Sequence, residues 1–405
     1  MSAPWLHVLG VGDGGFASLS AEASDILTRA ETVFGGRRHL AMLPDAHPAR
    51  RVSWRSPFAD SAADILAARG QRAVLLATGD PSWFGPAKWL RTVLQPGEFT
   101  VLPSPSAYSL AAARLGWALE DVLCRTVHGR SVEEIGPSCE PGARLLVLSE
   151  DGASPAALAA LLRDLGMGQS RLHVLEHLGG PSERVRSAKA ASFQLDDVAA
   201  LNTVAIECRL DEGARFHPAV PGLPDDAFRH DGKMTKRVLR ALAISALGPR
   251  VGELLWDVGA GSGSISVEWL RVAPLARAVA IEPLPERRAM IEENRRKLAT
   301  PRLEIVAGTA PDALTGLDTP DAVFLGGGLT DGIFEPAFAR LRSGGRLVAH
   351  AVTLESEAIL LALHARHGGE LLRVSVDRAE PVGPYHGWRP AMPVVHWHLV
   401  KGRGA

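Results

Sequence analysis

The chain is poor in cysteine, in net charge and in long apolar runs. Its three cysteines, Cys124, Cys139 and Cys208, are scattered and have no metal-ligand spacing. They fit a reduced, cytoplasmic protein in which each is a small buried hydrophobe. The formal net charge is -1, so there is no global basic field of the kind nucleic acid requires, and no nucleic-acid partner is expected. No apolar run approaches the roughly 18 residues of a membrane span, so no membrane partner is expected either. Met1 to Gly10 has no basic leader and does not read as a secretory signal. What remains is a 405-residue chain with enough apolar content for sizeable cores. That length suggests two or three domains.

One stretch organises the rest. Glu253 to Val258 reads as a buried strand, Gly259 to Gly263 as a glycine-rich turn, and Ile265 to Arg271 as the start of a helix. A tight strand-to-helix turn needs glycine where φ is positive or where a ligand presses on the backbone. The following helix then aims its first amides at whatever lies above the sheet. The next strand, Val279 to Glu282, ends in an acid placed to hold ribose hydroxyls. Strand, glycine turn, helix, strand and acid in this order point to a nucleoside-containing cofactor.

The pattern D-x-G-x-G-x-G at Asp257 to Gly263 differs from the dinucleotide fingerprint G-x-G-x-x-G. It resembles the first motif of the class I S-adenosylmethionine methyltransferases, with Glu282 as the ribose-binding acid. The remaining elements follow the class I order. A helix from Val238 to Leu247 precedes the glycine turn, and another runs from Pro285 to Leu298. Strands Leu303–Val306, Ala322–Leu325 and Arg346–His350 alternate with helices Ile333–Leu341 and Glu355–His367. Strands near Leu371–Val376 and Val394–Val400 close the domain as a reversed hairpin.

The first half also alternates strands and helices, which implies an α/β sheet with its ligands at the carboxyl ends of the strands. Leu6–Val11, Ala73–Ala77, Phe99–Leu102, Arg144–Leu148 and Leu172–Leu175 read as strands, and Ser20 reads as a helix N-cap with Glu22 in the first turn. Four loops in order resemble the tetrapyrrole (corrin/porphyrin) methylases, a class III methyltransferase family. Gly10-Val11-Gly12-Asp13-Gly14 is similar to its G-x-G-P-G loop, with Asp13 in place of proline. Gly79-Asp80-Pro81 is similar to its G-D-P loop. Pro103 to Ala107 is similar to its P-G-x-S-S segment, with Ser104 in place of glycine, and His128-Gly129-Arg130 to its H-G-R segment. Asp13 is expected either to repel substrate carboxylates or to accept from a backbone amide.

In the second half, Met234-Thr235-Lys236, the 257 to 266 stretch, Gly308-Thr309-Ala310-Pro311 and Gly326-Gly327-Gly328 together resemble the decarboxylating precorrin methyltransferase domain of cobalamin synthesis. The loop after Leu325 lacks the N/D-P-P-Y/F motif of base-methylating class I enzymes. Its glycines leave a flat opening for a large planar ligand. Thr309 stands where an aspartate often meets adenine.

The resemblances imply an α/β chain of two domains. The first, residues 1 to 210, has the class III tetrapyrrole methylase fold. Residues 211 to 231, with Pro218, Pro221, Pro224 and no periodicity, form a linker. Residues 232 to 405 have the class I, Rossmann-like fold. The implied activity is S-adenosylmethionine-dependent methylation of a precorrin, at C-5 by the first domain and at C-15 by the second, with loss of the C-12 acetate carboxyl as carbon dioxide. The implied cofactor contacts in the second domain are Thr235, Gly259, Ala260, Gly261, Ser262, Gly263, Glu282 and Ala310. Those in the first are Gly12, Gly79, Asp80, Pro81, Ser106 and Ala107.

Gly326, Gly327 and Gly328, with Lys236 and Arg237 from a basic cluster that includes Lys233 and Arg240, are the expected substrate contacts. Thr235 is alternatively a helix N-cap, and the basic cluster alternatively an ordinary solvated helix face. No motif marks the acid that decarboxylation requires. His350, at a strand end, and His386, in the cluster Tyr385 to Arg389, are the candidates. For each, the competing reading is a structural histidine. His396 and His398 share a strand face without a third ligand, so no metal is expected. A homo-oligomer is expected from the family. Two other readings stay open: a non-catalytic tetrapyrrole-binding or oligomerising first half, and a methyltransferase acting on a non-corrin substrate.

Overall fold

The computed structural model describes residues 4–402. The chain divides into two compact units, which meet between Arg215 and Phe216.

The first unit holds two sheets. Strands β1 (Leu6–Val11), β2 (Thr32–Gly35), β3 (Arg50–Ser53), β4 (Ala73–Thr78) and β5 (Phe99–Leu102) form a parallel sheet in the order β3-β2-β4-β1-β5. Helices α1 (Ala21–Thr28), α2 (Arg37–Ala41), α3 (Ser61–Ala67) and α4 (Ala87–Val93) connect them, and α5 (Ala107–Leu115) leads out. Leu9, Val11, Val33, Val74 and Leu76 face one core, while Leu6, Val8, Phe34, Ala73 and Leu75 face the other. A parallel strand covered on both faces reads as an unbroken apolar run. Ser20 caps α1 as expected, its hydroxyl accepting from the Ala23 amide at 3.1 Å.

The second sheet is mixed. It contains β6 (Leu123–Thr126), β7 (Arg144–Leu148), β8 (Arg171–Glu176), β9 (Arg184–Lys189) and β10 (Asn202–Glu207) in the order β6-β7-β10-β8-β9, with α6 (Ser154–Asp164) between β7 and β8.

The second unit is built on one sheet. Its helices are α7 (Arg237–Leu247), α8 (Ser264–Val272), α9 (Pro285–Lys297), α10 (Asp331–Arg340) and α11 (Leu354–His367). Its strands are β11 (Leu254–Val258), β12 (Arg277–Glu282), β13 (Leu303–Ala307), β14 (Ala322–Leu325), β15 (Arg346–Ala351), β16 (Glu370–Val374) and β19 (Val394–Val400). A separate ribbon pairs β17 (Asp377–Val382) with β18 (Tyr385–Pro390). The sheet order is β13-β12-β11-β14-β15-β19-β16. The first five strands are parallel, and β19 runs antiparallel between β15 and β16. This is the expected order with its reversed final hairpin. The strand order reverses between β11 and β14, and sheets of this kind bind ligands outside the carboxyl ends of the strands at that point.

The stretch expected as a linker is only partly one. Leu223, Ala227 and Phe228 are buried in the second unit's core. The amides of Gly222 and Leu223 donate to the buried Glu268 carboxylate at 2.7 and 2.9 Å. Sequence aperiodicity marked a segment held by backbone hydrogen bonds, not a free one. Among the described residues no helix is long and apolar enough to cross a membrane.

Candidate functional site

In the second unit the expected residues gather on the rim above β11 to β15. Gly259, Gly261 and Gly263 all take positive φ, at 72°, 59° and 73°, and each does so for a different reason. A Cβ on Gly259 would lie 2.8 Å from the Gly327 carbonyl oxygen, and one on Gly263 would lie 2.9 Å from the Ile291 side chain. A Cβ on Gly261 would meet nothing within 4 Å. The outer glycines are required by packing, and the middle one opens onto free space.

Beneath this opening lies Glu282, almost fully buried. It accepts from the Gly261 amide at 2.8 Å and from the Leu284 amide at 3.1 Å. Each carboxylate oxygen keeps lone-pair capacity for a ligand hydroxyl. The buried Ser262 hydroxyl has no partner, and a buried orphan hydroxyl beside an open glycine suits a polar ligand. The Gly259 and Ala260 amides are taken by the Ile281 carbonyl. Asp257 is fully buried. Its Oδ2 accepts from the Ser266 amide and hydroxyl at 3.1 and 2.7 Å, and its Oδ1 is unpartnered. Burial pushes its pKa up to about 6.

Gly326, Gly327 and Gly328 stand next to this turn. The Gly326 amide donates to the Val258 carbonyl at 3.0 Å, and a Cβ on Gly327 or Gly328 would meet no protein atom within 4 Å. At the end of β13, the Thr309 carbonyl is used by the Ala313 amide. Ala310 is partly buried against the second core of this unit.

Helix α7 runs antiparallel to β15. Arg346, the first residue of β15, donates to the carbonyls of Leu247 and Gly248 at the end of α7, at 2.8 and 2.9 Å. The start of α7 therefore lies at the same end of the sheet as the glycine loops.

Two expectations about this helix are corrected. Lys236, not Thr235, occupies the N-cap position. The Thr235 carbonyl accepts from Arg240 at 2.6 Å. Arg240 is not part of a solvated basic face. It is fully buried and bound to Glu268 at 2.5 Å and to Asp225 at 3.2 Å. Lys233 and Arg237 remain exposed, and Lys236 is half-buried.

The histidine candidates are also revised. His350 lies inside the sheet, where its Nε2 shares a 2.9 Å hydrogen bond with Nδ1 of His396, directly opposite on β19. Its ring meets the edge of Phe324 at 5.2 Å. Burial lowers the His350 pKa to about 3 and that of His396 to about 4. His350 is therefore neutral at ordinary pH and a poor donor of the proton that the carbon losing its carboxyl must take up. His386 stands exposed on the ribbon, opposite Pro381. Among the described residues no group of three His, Cys, Asp or Glu could hold a metal.

In the first unit the loops after β1, β4 and β5 interlock. A Cβ on Gly10 would lie 1.9 Å from the Gly79 carbonyl oxygen. Ser104 donates its amide to that oxygen at 3.1 Å and its hydroxyl to the Gly10 carbonyl at 2.7 Å. The family departure at Ser104 therefore adds a bond between two loops. Gly79 takes φ of 60°. Asp80 accepts from the Ser82 amide at 2.8 Å, and Pro81 is buried beneath it. Ser106 caps α5 through the Ser109 amide at 3.1 Å, with Ala107 as the first helical residue. Gly12 is half-buried, with Ser18 as its nearest neighbour.

Asp13 is not held by a backbone amide. Its carboxylate accepts from side chains, from Arg38 at 2.8 Å and from His177 at 2.9 Å. Its charge is thereby paired with the Arg38 guanidinium. Arg38 also donates to Thr78 at 2.8 Å. No sequence signal marked Arg38 or His177, because neither lies in a motif loop.

Comparison with known proteins accounts for both units. A family model described as Tetrapyrrole (Corrin/Porphyrin) Methylases matches residues 6–194, and one described as Precorrin methyltransferase domain matches residues 226–401. A precorrin-6Y C(5,15)-methyltransferase [decarboxylating] of Sinorhizobium sp is 50% identical over 400 residues, covering 98% of this chain and 97% of that protein. A cobalt-precorrin-6B C(15)-methyltransferase (decarboxylating) of Salmonella typhimurium strain LT2 is 36% identical over 167 residues, 40% of this chain and 85% of that protein. The crystal structure of the C-terminal domain of precorrin-6Y C5,15-methyltransferase from Rhodobacter capsulatus is 48% identical. It covers 46% of this chain and 100% of its own, with a TM-score of 0.44.

Proposed function

The chain belongs to the decarboxylating precorrin-6Y C(5,15)-methyltransferases, and we propose from that premise how its two units divide the work. The activity is methylation of precorrin-6Y at C-5 and C-15 with decarboxylation, a step of cobalamin biosynthesis. In the proposed division, the first unit methylates C-5 and the second methylates C-15 and removes the C-12 acetate carboxyl, giving precorrin-8. The separate family matches of the two units support this. So does the shorter C(15) relative, which corresponds to less than half of this chain.

The proposed methyl donor is S-adenosylmethionine. Its sulfonium supplies an electrophilic methyl group. The observation that carries the proposal is the open face of Gly261 above the Glu282 carboxylate, with the unpartnered Ser262 hydroxyl alongside. Glu282 would hold the ribose hydroxyls, Gly261 would leave room for the donor, and Ser262 would take a polar atom. Gly326 to Gly328 would floor the macrocycle, and Lys236 and Arg237 would meet its carboxylates. The ring carbons of a precorrin are enamine-like nucleophiles, so the residues chiefly hold the two carbons close and aligned. The electrons released by decarboxylation pass into the protonated conjugated ring.

Mass spectrometry of the product from precorrin-6Y and S-adenosylmethionine tests the reading. Two added methyl groups and one lost carbon dioxide are expected. A product with one methyl, or with its carboxyl retained, would overturn it.

A homo-oligomer is part of the proposal. The ribbon β17–β18 exposes Tyr385 and Trp388, each at 76%, and an isolated two-stranded ribbon is marginal alone. Sedimentation showing only monomers would remove it. A cytoplasmic location is supported by the three cysteines, which are free thiols. Recovery of the enzyme outside the cytoplasm on cell fractionation would refute that.

A further inference from the structure

We propose that His177 is the base that takes the C-5 proton during methylation by the first unit, and that Asp13 is its positioning residue. The proposal rests on the assignment of C-5 methylation to that unit. Replacing a ring C–H by C–CH3 with a methyl sulfonium donor releases one proton, which must have an acceptor. The C-5 carbon gives its π pair to the methyl carbon while the sulfur–methyl pair stays on sulfur. The C–H pair then returns to the conjugated ring as the proton moves to Nε2 of His177.

The geometry selects this histidine. Nδ1 of His177 lies 2.9 Å from Oδ2 of Asp13. A carboxylate only accepts, so Nδ1 carries the proton and Nε2 is left with its lone pair free. The ring is about one-third exposed, at 34%, and lines a cavity of about 340 Å³. His177 follows β8 and takes φ of 50°, a strained backbone for a non-glycine residue and one that tends to mark functional sites.

The surrounding chain is shaped to keep the contact. A Cβ on Gly180 would lie 2.5 Å from Oδ2 of Asp13, and one on Gly14 would lie 2.9 Å from the Gly179 carbonyl oxygen. Two glycines thus let the loop after β1 close against the turn after β8. Asp13 sits in the G-x-G loop itself, where the family pattern has proline, and Thr78 directly precedes Gly79. The Asp13–Arg38–Thr78 chain therefore ties the base to the same loops that the donor is expected to use.

The charged neighbours leave Asp13 as the partner of the ring. Arg38 is bound to the far oxygen of Asp13. His39, beside Arg38, has its pKa lowered to about 4 by burial and is neutral. Glu176, next in sequence, is locked to Arg184 and Arg186 of β9. Glu183 holds Arg114 and the Gly179 amide. Asp197 lies on the cavity wall.

The test uses the full chain with precorrin-6Y, donor and site-resolved methyl incorporation. His177→Gly suits the positive φ and removes the imidazole. It should reduce C-5 methylation by about 100-fold or more, with the donor stoichiometry unchanged and KM for the precorrin within a few-fold. Free imidazole should restore part of the rate. Asp13→Ala should lower kcat for C-5 methylation about 10-fold or more while KM for the precorrin stays within a few-fold, because the ring loses the acceptor that orients it. C-5 methylation near the wild-type rate in His177→Gly would overturn the proposal. So would a loss that imidazole does not rescue, together with an unchanged kcat in Asp13→Ala. Gly79→Val separates the two levels. Its Cβ would press on Ser106 and Pro105 at 3.1 and 3.2 Å. If C-5 methylation survives in Gly79→Val, the assignment of C-5 to the first unit has failed. If Gly79→Val loses it and His177→Gly keeps it, only the role of His177 has failed.

Discussion

The buried pair His350–His396 makes the second unit acid-labile by a calculable amount. Both rings are held neutral by burial, with pKa lowered from 6.5 to about 3 and about 4. In the unfolded chain both take up protons near the ordinary value. Between those limits the unfolded state binds more protons than the folded one, so stability falls as pH falls below 6.5. For one such histidine, the loss from pH 7 to pH 5 is the change in RT ln(1 + 10^(pKa − pH)), about 2 kcal/mol. The pair together contributes about 4 kcal/mol, a large share of a typical domain stability of roughly 5–15 kcal/mol.

Carboxylates also titrate on the way to pH 5, so the clean quantity is a difference. His350→Asn removes one titrating ring and leaves His396 without its 2.9 Å partner. At pH 7 it should be less stable by roughly 1–3 kcal/mol. Its further loss between pH 7 and pH 5 should be smaller than the wild-type loss by about 2 kcal/mol. Urea unfolding of the full chain at both pH values, following the transition of the second unit, measures this. Identical pH dependence in the two proteins would show that His350 titrates normally in the folded state and would refute the reasoning.

Three further outcomes follow from the geometry. Gly261→Val fills the open face above Glu282 at a positive φ, and the calorimetric stoichiometry of S-adenosylmethionine should drop from two per chain to one; two retained sites would remove Gly261 from the donor site. A Cβ at Gly327 meets no protein atom within 4 Å, so donor binding should persist in Gly327→Leu. A leucine that lifts the macrocycle by about 1 Å should slow C-15 methylation roughly 100-fold, leaving a product methylated at C-5 that keeps its acetate carboxyl; normal decarboxylation would contradict this. Arg240→Ala removes the cation paired with the buried Glu268 carboxylate and should destabilise the second unit by about 3–5 kcal/mol; a change under about 1 kcal/mol in denaturant unfolding would mean that the Gly222 and Leu223 amides suffice to hold that carboxylate.

The legible parts of the fold are those whose physics is local. β11, β14 and β15 are buried along their whole length, so each appears as a short apolar run. The polar strands β3, β9, β17 and β18 are largely exposed, and nothing in their composition separates them from loops. The glycine turn was legible because positive φ restricts residue choice at each of its alternate positions. Arg240 was misread because its partner Glu268 lies 28 residues away, and a basic residue at a helix start reads as solvated until its partner is known. His177 was invisible for the same reason, since 164 residues separate it from Asp13.

The bond from Gly261 to Glu282 spans 21 residues, and it sets when the proposed donor site comes into being. Three alternating glycines have little conformational preference of their own. A growing chain that has emerged only as far as α8 carries the whole glycine motif but has no carboxylate beneath it. The turn is fixed once β12 docks beside β11 and brings Glu282 under the Gly261 amide. Donor binding is then a test of whether that docking has happened. At 100 times its dissociation constant the donor adds about 2.7 kcal/mol to chains that pass and nothing to those that do not. The abundance of the intact enzyme in a cell should therefore follow the supply of its own methyl donor.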